Sequence, residues 1–261
     1  MYQPLANGYH PIQSVFQLIS LADELYIRKR ERGFFSLTCD DQKVPVDHRN
    51  TIRSAYDLLS DDLDFGVEIV LKKRIPLGGG LGGGSSNAAA FIRWVIQQVG
   101  VTISLEKITI VALKVGADVP FFLGARTAWV EGVGEKITPI PSAPYSHYVL
   151  IFPAIHSDTR SAYQALDQAG VLEPLQTHQR AIPSMDDYLD KNDFQMLLFA
   201  QYPRLADIAT HIPHIHLTGS GATLFIPCLG PAELQDAVSA CETYLADEQY
   251  VVVEGAGFEP T

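Results

Sequence analysis

The residues best suited to chemistry lie in Pro76-Leu77-Gly78-Gly79-Gly80-Leu81-Gly82-Gly83-Gly84-Ser85-Ser86, where six of seven consecutive positions are glycine. Residues without a Cβ accept left-handed backbone and let a ligand approach the main chain closely. An alternating apolar stretch precedes the run, and Asn87-Ala88-Ala89-Ala90-Phe91-Ile92 follows it, so the loop joins a strand to an apolar helix. The start of that helix offers unpaired N–H groups and the positive end of its dipole, with Ser85, Ser86 and Asn87 as natural caps. Together these features predict a cradle for a polyphosphate. A flexible linker would not be bracketed so tightly. No lysine follows the glycines, which excludes the P-loop pattern. A G-x-G-x-x-G match exists at Gly78, Gly80 and Gly83, but a glycine-dense tract meets it by chance. An NAD-type oxidoreductase would also need an acidic strand end about 20 residues on, where this chain reads as helix and a Gly100 loop.

Asp118 sits in Gly116-Ala117-Asp118-Val119-Pro120, two residues before a proline, as a helix N-cap would. It is also a lone carboxylate in an apolar setting, in the same half of the chain as the cradle. Beside a triphosphate such a group can accept a hydroxyl proton or orient the acceptor. Leu217-Thr218-Gly219-Ser220-Gly221-Ala222-Thr223-Leu224-Phe225 reads by itself as a hairpin turn. Paired with the first loop, it would close a cleft from the other domain. Lys72-Lys73-Arg74 reads as a solvated strand end or a local anion site. His211, His214 and His216 lack the carboxylates or helical pairing of a metal centre and read as a solvated loop entering a strand, so no protein metal site is expected.

Positioning these groups requires a chain that folds well. It has 261 residues, 47% hydrophobic and 19% charged, with net charge −11. Those values exclude disorder and a basic nucleic-acid surface. Three scattered cysteines fit neither a disulfide framework nor zinc. No apolar run reaches the ~18 residues of a membrane span, and the first residues lack a signal peptide's pattern. A soluble cytoplasmic protein is expected, with no obligate protein partner evident. Patterning predicts strands at 24–27, 34–39, 66–71, 127–131, 135–140, 148–152, 214–217, 223–227 and 250–254. Helices are expected at 50–60, 87–99 (closed by Gly100), 104–115 (ending at Gly116), 159–167, 192–201 and 232–245. Residues 15–21 form a compact apolar run, and Trp94 and Trp129 read as core. Three prolines within 139–144 mark a linker. The predicted class is α+β in two domains, 1–140 and 141–261, with the active site in the cleft between them.

Taken together, the glycine run, the 116–120 segment and the 218–225 turn resemble the GHMP small-molecule kinases. Residues 127–135 and Asn192-Asp193-Phe194 extend the resemblance over nearly the whole chain in order. It implies an ATP-dependent transfer of the γ-phosphoryl group, with Mg2+, to the 2-hydroxyl of a cytidine-diphosphate-linked methylerythritol on the non-mevalonate isoprenoid route. Under that resemblance residues 76–86 hold the ATP phosphates and Asp118 is the catalytic aspartate. Gly8-Tyr9-His10 matches the family's Gly-Tyr-His, in which the histidine bonds the cytosine edge and the tyrosine stacks on its face. Tyr163, four residues after Thr159, falls where the family places the second aromatic, and Thr159, Gly219, Ser220 and Gly221 join the substrate site.

One departure matters. The family's first strand carries Lys-x-Asn a dozen or more residues ahead of Gly-Tyr-His, whereas here the first lysine is Lys29. Such a lysine would keep the aspartate ionised and neutralise charge near the reacting oxygens. Either a strand is missing from the sequence in hand, the favoured reading, or the chain is a nucleotide-binding homologue with little or no turnover.

Overall fold

The computed structural model describes residues 1–6, 8–99, 103–141, 144–155, 157–174, 189, 191–245 and 247–255. It divides into two compact units that interleave along the chain. One comprises Met1–Leu21, Pro76–Leu81 and Arg126–Thr261; the other comprises Ala22–Ile75 and Gly82–Ala125. The boundary expected near residue 140 therefore falls inside the first unit. The proline cluster does mark a break in regular structure, between Pro139 and His147. It does not separate units, because main-chain bonds join the segments on either side of it: Gln3 N–H donates to Glu173 O at 2.9 Å and Ser20 N–H to Glu254 O at 3.0 Å. Residues 142 and 143 of that linker, and the helix-closing Gly100, lie outside the described residues.

In the 22–75 and 82–125 unit, β2 (Glu24–Arg30), β3 (Phe35–Cys39) and β4 (Gly66–Lys72) form a sheet in the order β2-β4-β3. β4 pairs antiparallel with β2, Ile27 opposite Ile69, and parallel with β3, Leu37 opposite Ile69. Among the described residues four α-helices accompany the sheet: α1 (Thr51–Leu59), α2 (Gly83–Val99), α3 (Leu105–Val115) and α4 (Val119–Gly124). Alternation along β4 buries Val67, Ile69 and Leu71, and helical spacing buries Ile52, Leu59, Phe91, Ile92 and Val95 in the same core. Asn50 starts α1 by accepting the Ile52 N–H at 2.9 Å, and Ser104 starts α3 by accepting the Lys107 N–H at 3.2 Å.

In the other unit, β1 (Ile12–Gln17), β5 (Thr127–Gly132) and β6 (Lys136–Pro139) form a three-stranded sheet centred on β5. A second sheet, ordered β10-β7-β9-β8, contains β7 (His147–Phe152), β8 (His216–Leu217), β9 (Leu224–Cys228) and β10 (Gln249–Glu254). Its helices with described bounds are α5 (Thr159–Ala169), α6 (Gln195–Gln201), α7 (Pro203–His211) and α8 (Pro231–Tyr244). Their apolar faces meet Val149, Ile151 and Leu224 in a core that includes Leu166, Leu205, Ile208 and Cys241.

The architecture is α+β, as predicted. Among the elements, β1 and α7 were not foreseen, and α4 was marked only by the cap pattern at Asp118. β1 is half-buried at every position, so it carries no alternation, and its pairing with β5 (Val15 opposite Trp129) is a long-range event. The histidine cluster also differs from expectation. His211 ends α7 with Nδ1 2.8 Å from the Asp207 carbonyl oxygen and its ring stacked 4.3 Å from Tyr244, while His216 is buried in β8. Among the described residues no group of His, Cys, Asp and Glu could hold a metal ion, and no helix is long and apolar enough to cross a membrane.

Candidate functional site

The glycine run turns tightly. Gly78, Gly80 and Gly82 take φ of +66°, +71° and +66°, so left-handed residues recur at every second position. Left-handed residues that alternate with right-handed ones are the backbone pattern of anion-binding nests. α2 begins at Gly83, four residues earlier than predicted. Its first intrahelical bond runs from Ser86 N–H to Gly82 O at 2.9 Å, which leaves the N–H groups of Gly83, Gly84 and Ser85 ahead of the hydrogen-bonded ladder. The expected side-chain caps are not made. Ser86 Oγ donates back to Gly83 O at 2.9 Å, and Asn87 Nδ2 donates to Asp23 Oδ2 at 2.8 Å, because both residues already lie inside the helix. The Ser85 hydroxyl has no hydrogen-bond partner among the described residues.

Residues 76–81 are held by the second glycine turn. Thr218 Oγ1 donates to Gly80 O at 3.2 Å, and Thr223 N–H to Gly79 O at 3.3 Å. A Cβ on Gly80 would collide with the Thr218 carbonyl oxygen, and one on Gly79 would stand 2.7 Å from Thr223 Oγ1. The 218–223 turn is therefore more than a hairpin between β8 and β9, being a second wall against the loop within the same unit. It is braced in turn by Asn192 Nδ2, which donates to Leu217 O at 2.8 Å and Gly219 O at 2.9 Å. Ser157 Oγ donates to Ser220 O at 2.8 Å, and Thr159 Oγ1 lies 2.9 Å from Ser220 Oγ. Thr159 and Ser220 are thus brought together, and Gly219 and Gly221 adopt φ of +53° and +77°.

His10 and Tyr163 also meet. Their ring centroids are 4.8 Å apart with planes at 34°, His10 Nε2 lies 2.7 Å from Asp167 Oδ1, and Phe194 contacts Tyr163 edge-on at 5.1 Å. The His10 side chain is 7% exposed, whereas Tyr9 is 60% exposed. The ring against Tyr163 is therefore that of His10, and Tyr9 presents an exposed aromatic next to it in sequence. A cavity of about 180 Å3 in this unit is lined by, among others, Ser14, Gln17, Leu81, Asn192, Thr218 and Gly219.

Asp118 stands at the N-cap position of α4, but its side chain makes no capping bond. Burial raises its pKa above the ordinary carboxylate value, with no opposing contribution from a cation or donor. Ser85 belongs to the same unit, and its Oγ is 3.6 Å from where a Cβ on Gly116 would be, two residues before Asp118. A half-buried carboxylate that no donor holds ionised is a stronger proton acceptor than a fully solvated one.

Residues 50–125 match the GHMP kinases N terminal domain. The chain is 34% identical over 234 residues to a 4-diphosphocytidyl-2-C-methyl-D-erythritol kinase of Ralstonia pickettii, covering 85% of this chain and 78% of the relative. It is 36% identical to that of Porphyromonas gingivalis, covering 84% of each. The chain belongs to the 4-diphosphocytidyl-2-C-methyl-D-erythritol kinase family. A crystal structure of 4-(cytidine 5'-diphospho)-2C-methyl-D-erythritol kinase superposes with TM-score 0.74 at 27% identity, covering 97% of this chain and 94% of the other. Family membership makes the protein a small-molecule kinase and removes the oxidoreductase reading of the glycine run. The alternative of a homologue without turnover finds no support in these relatives.

One residue of this kinase escaped the sequence reading. The Asp23 side chain is fully buried, and Lys73, expected in a solvated run, is 8% exposed and paired with it. Asp23 Oδ1 accepts from Arg74 N–H at 2.7 Å and Ile75 N–H at 2.9 Å; Oδ2 accepts from Asn87 and from Lys73 Nζ. Burial pushes the Asp23 carboxyl up, but these donors outweigh it and its pKa falls below the ordinary value. Its donors lie 50 to 64 residues away in sequence, so no local pattern marked it.

Proposed function

We propose that this kinase transfers the γ-phosphoryl group of ATP to the 2-hydroxyl of 4-diphosphocytidyl-2-C-methyl-D-erythritol, the substrate in its relatives' name, on the non-mevalonate isoprenoid route. The observation that carries the donor assignment is the left-handed repeat at Gly78, Gly80 and Gly82 feeding the unladdered N–H groups of Gly83, Gly84 and Ser85. Main-chain amides neutralise phosphate charge without cationic side chains, which suits a chain of net charge −11. Pro76, Leu77 and Leu81 complete the loop, and Ser86 braces it.

In the reaction the acceptor oxygen bonds to the γ-phosphorus as the bond to the bridging oxygen of ADP breaks, and the hydroxyl proton passes to Asp118. The transition state is loose, so positioning and charge stabilisation dominate and no covalent enzyme intermediate is needed. Mg2+ supplies further neutralisation of the phosphates when bound. The Ser85 hydroxyl is the hard oxygen donor in the loop that fits it. On the acceptor side, Tyr9, His10 and Tyr163 take the cytosine, and Thr159 with Gly219, Ser220 and Gly221 takes the polar part of the substrate.

The direct test is ATP consumption by the purified protein with and without the cytidine-linked acceptor. Acceptor-dependent ADP release, with phosphate located on the 2-hydroxyl by phosphorus NMR, is the expected result. Consumption that ignores the acceptor would defeat the assignment.

A further inference from the structure

The buried charge at Asp23 is used by neither donor nor acceptor in the reaction above, yet its partners flank the glycine run. Arg74 and Ile75 immediately precede Pro76, and Asn87 immediately follows Ser86. A single carboxylate therefore holds the backbone entering the run and the helix leaving it, while Lys73 compensates its charge. The loop between is rich in glycine, so its backbone entropy is large, and fixing its ends restricts the conformations it can explore.

We propose that Asp23 is a positioning residue for the donor loop, fixing the span between residues 75 and 87 across which the amides of 76–86 converge on phosphate. The proposal rests on the reading that this loop receives the ATP phosphates. It assigns Asp23 no contact with substrate; it acts through the loop's two ends. Replacing it with asparagine keeps an oxygen for the amides of Arg74 and Ile75. It turns an N–H donor toward Asn87 and Lys73, however, which cuts the link between the two flanks.

The test compares wild type with Asp23→Asn in steady-state kinetics and in amide hydrogen exchange, with and without a non-hydrolysable ATP analogue. KM for ATP is expected to rise roughly 10- to 100-fold, as displaced positioning groups do, while KM for the acceptor stays within about twofold. Without nucleotide, exchange across 76–87 should quicken while β4 stays protected. Unchanged KM for ATP overturns the proposal. So does a uniform loss, in which both KM values shift and exchange quickens throughout the unit, because that is the signature of a structural residue only. If the analogue fails to slow exchange at 76–87 in wild type, the loop reading itself fails and takes the proposal with it. That outcome is separable because it needs no variant. Should Asp23→Asn not fold, Asp23→Glu keeps the charge opposite Lys73 but moves the carboxylate out of register with the amides, and carries the same readouts.

Discussion

Asp118 combines two properties that pull in opposite directions. Its burial without a donor raises its pKa, so the folded state holds a proton more tightly than the unfolded chain does. Its contribution to stability is present below the ordinary carboxylate pKa and is lost as pH rises through the raised folded value. Above that value the ionised carboxylate is a local cost to the folded state, and the proposed role as proton acceptor can be tested directly. Asp118→Asn should lower kcat by roughly 10²- to 10⁴-fold, the usual range for general acid–base groups, with KM for ATP nearly unchanged. The acidic limb of the kcat profile should vanish, while the thermal midpoint at pH 7 is no lower than the parent's. A variant with unaltered turnover would remove Asp118 from the mechanism. Asp23 shows the opposite sign: its depressed pKa gives stability above the ordinary value that is lost as pH falls through the folded value. The aromatic pair gives a prediction of another kind. Base stacking is worth roughly 1–3 kcal/mol, so Tyr163→Ala should raise KM for the acceptor about 5- to 150-fold, with KM for ATP unchanged.

The glycine run and the 218–223 turn form one device at the level of elements. Gly80 is the position where the turn and the loop are closest, and its φ of +71° excludes a side chain on conformational grounds as well. Gly80→Ala should cost roughly 1–3 kcal/mol in urea unfolding, the range for left-handed residues with a Cβ, and should also raise KM for ATP. Gly33, with φ +82° and open space where a methyl group would stand, provides the control. Gly33→Ala should lose stability without touching either KM. Equal kinetic effects from the two variants would show that backbone strain, and not the meeting of loop and turn, is responsible.

Each unit has its own hydrophobic core and its own tryptophan, so the two can be followed separately. Trp94 packs in the β4–α2 core, its ring 6.2 Å from Phe91, whereas Trp129 is buried in β5 of the other unit. In a Trp129→Phe background, Phe91→Ala should lower the Trp94 fluorescence transition in urea by roughly 3–5 kcal/mol, the cost of deleting a large core ring. A transition that does not move would mean the site refills on truncation. This scale is also where the sequence was least informative. Apolar periodicity located most strands and helices within a few residues, but it says nothing about domain division, which was read from the proline cluster at 139–144 alone. The actual units are interleaved, because β1 finds β5 across more than a hundred residues and the glycine run passes from one unit to the other at Leu81–Gly82.

What the sequence determined by itself was local and chemical. Glycine density pointed to a candidate backbone-lined anion site, helical spacing located the apolar face of α2, and an isolated aspartate before a proline marked a candidate base. Tertiary structure alone decided which side chains those features meet. Nothing near Gly79 and Gly80 foretells Thr218 and Thr223, and nothing near residue 23 foretells Lys73, Arg74, Ile75 and Asn87. Periodicity reports only which face of an element avoids water. A hydrogen bond between distant segments depends on how the cores set their separation, and that is fixed only when the whole chain has packed.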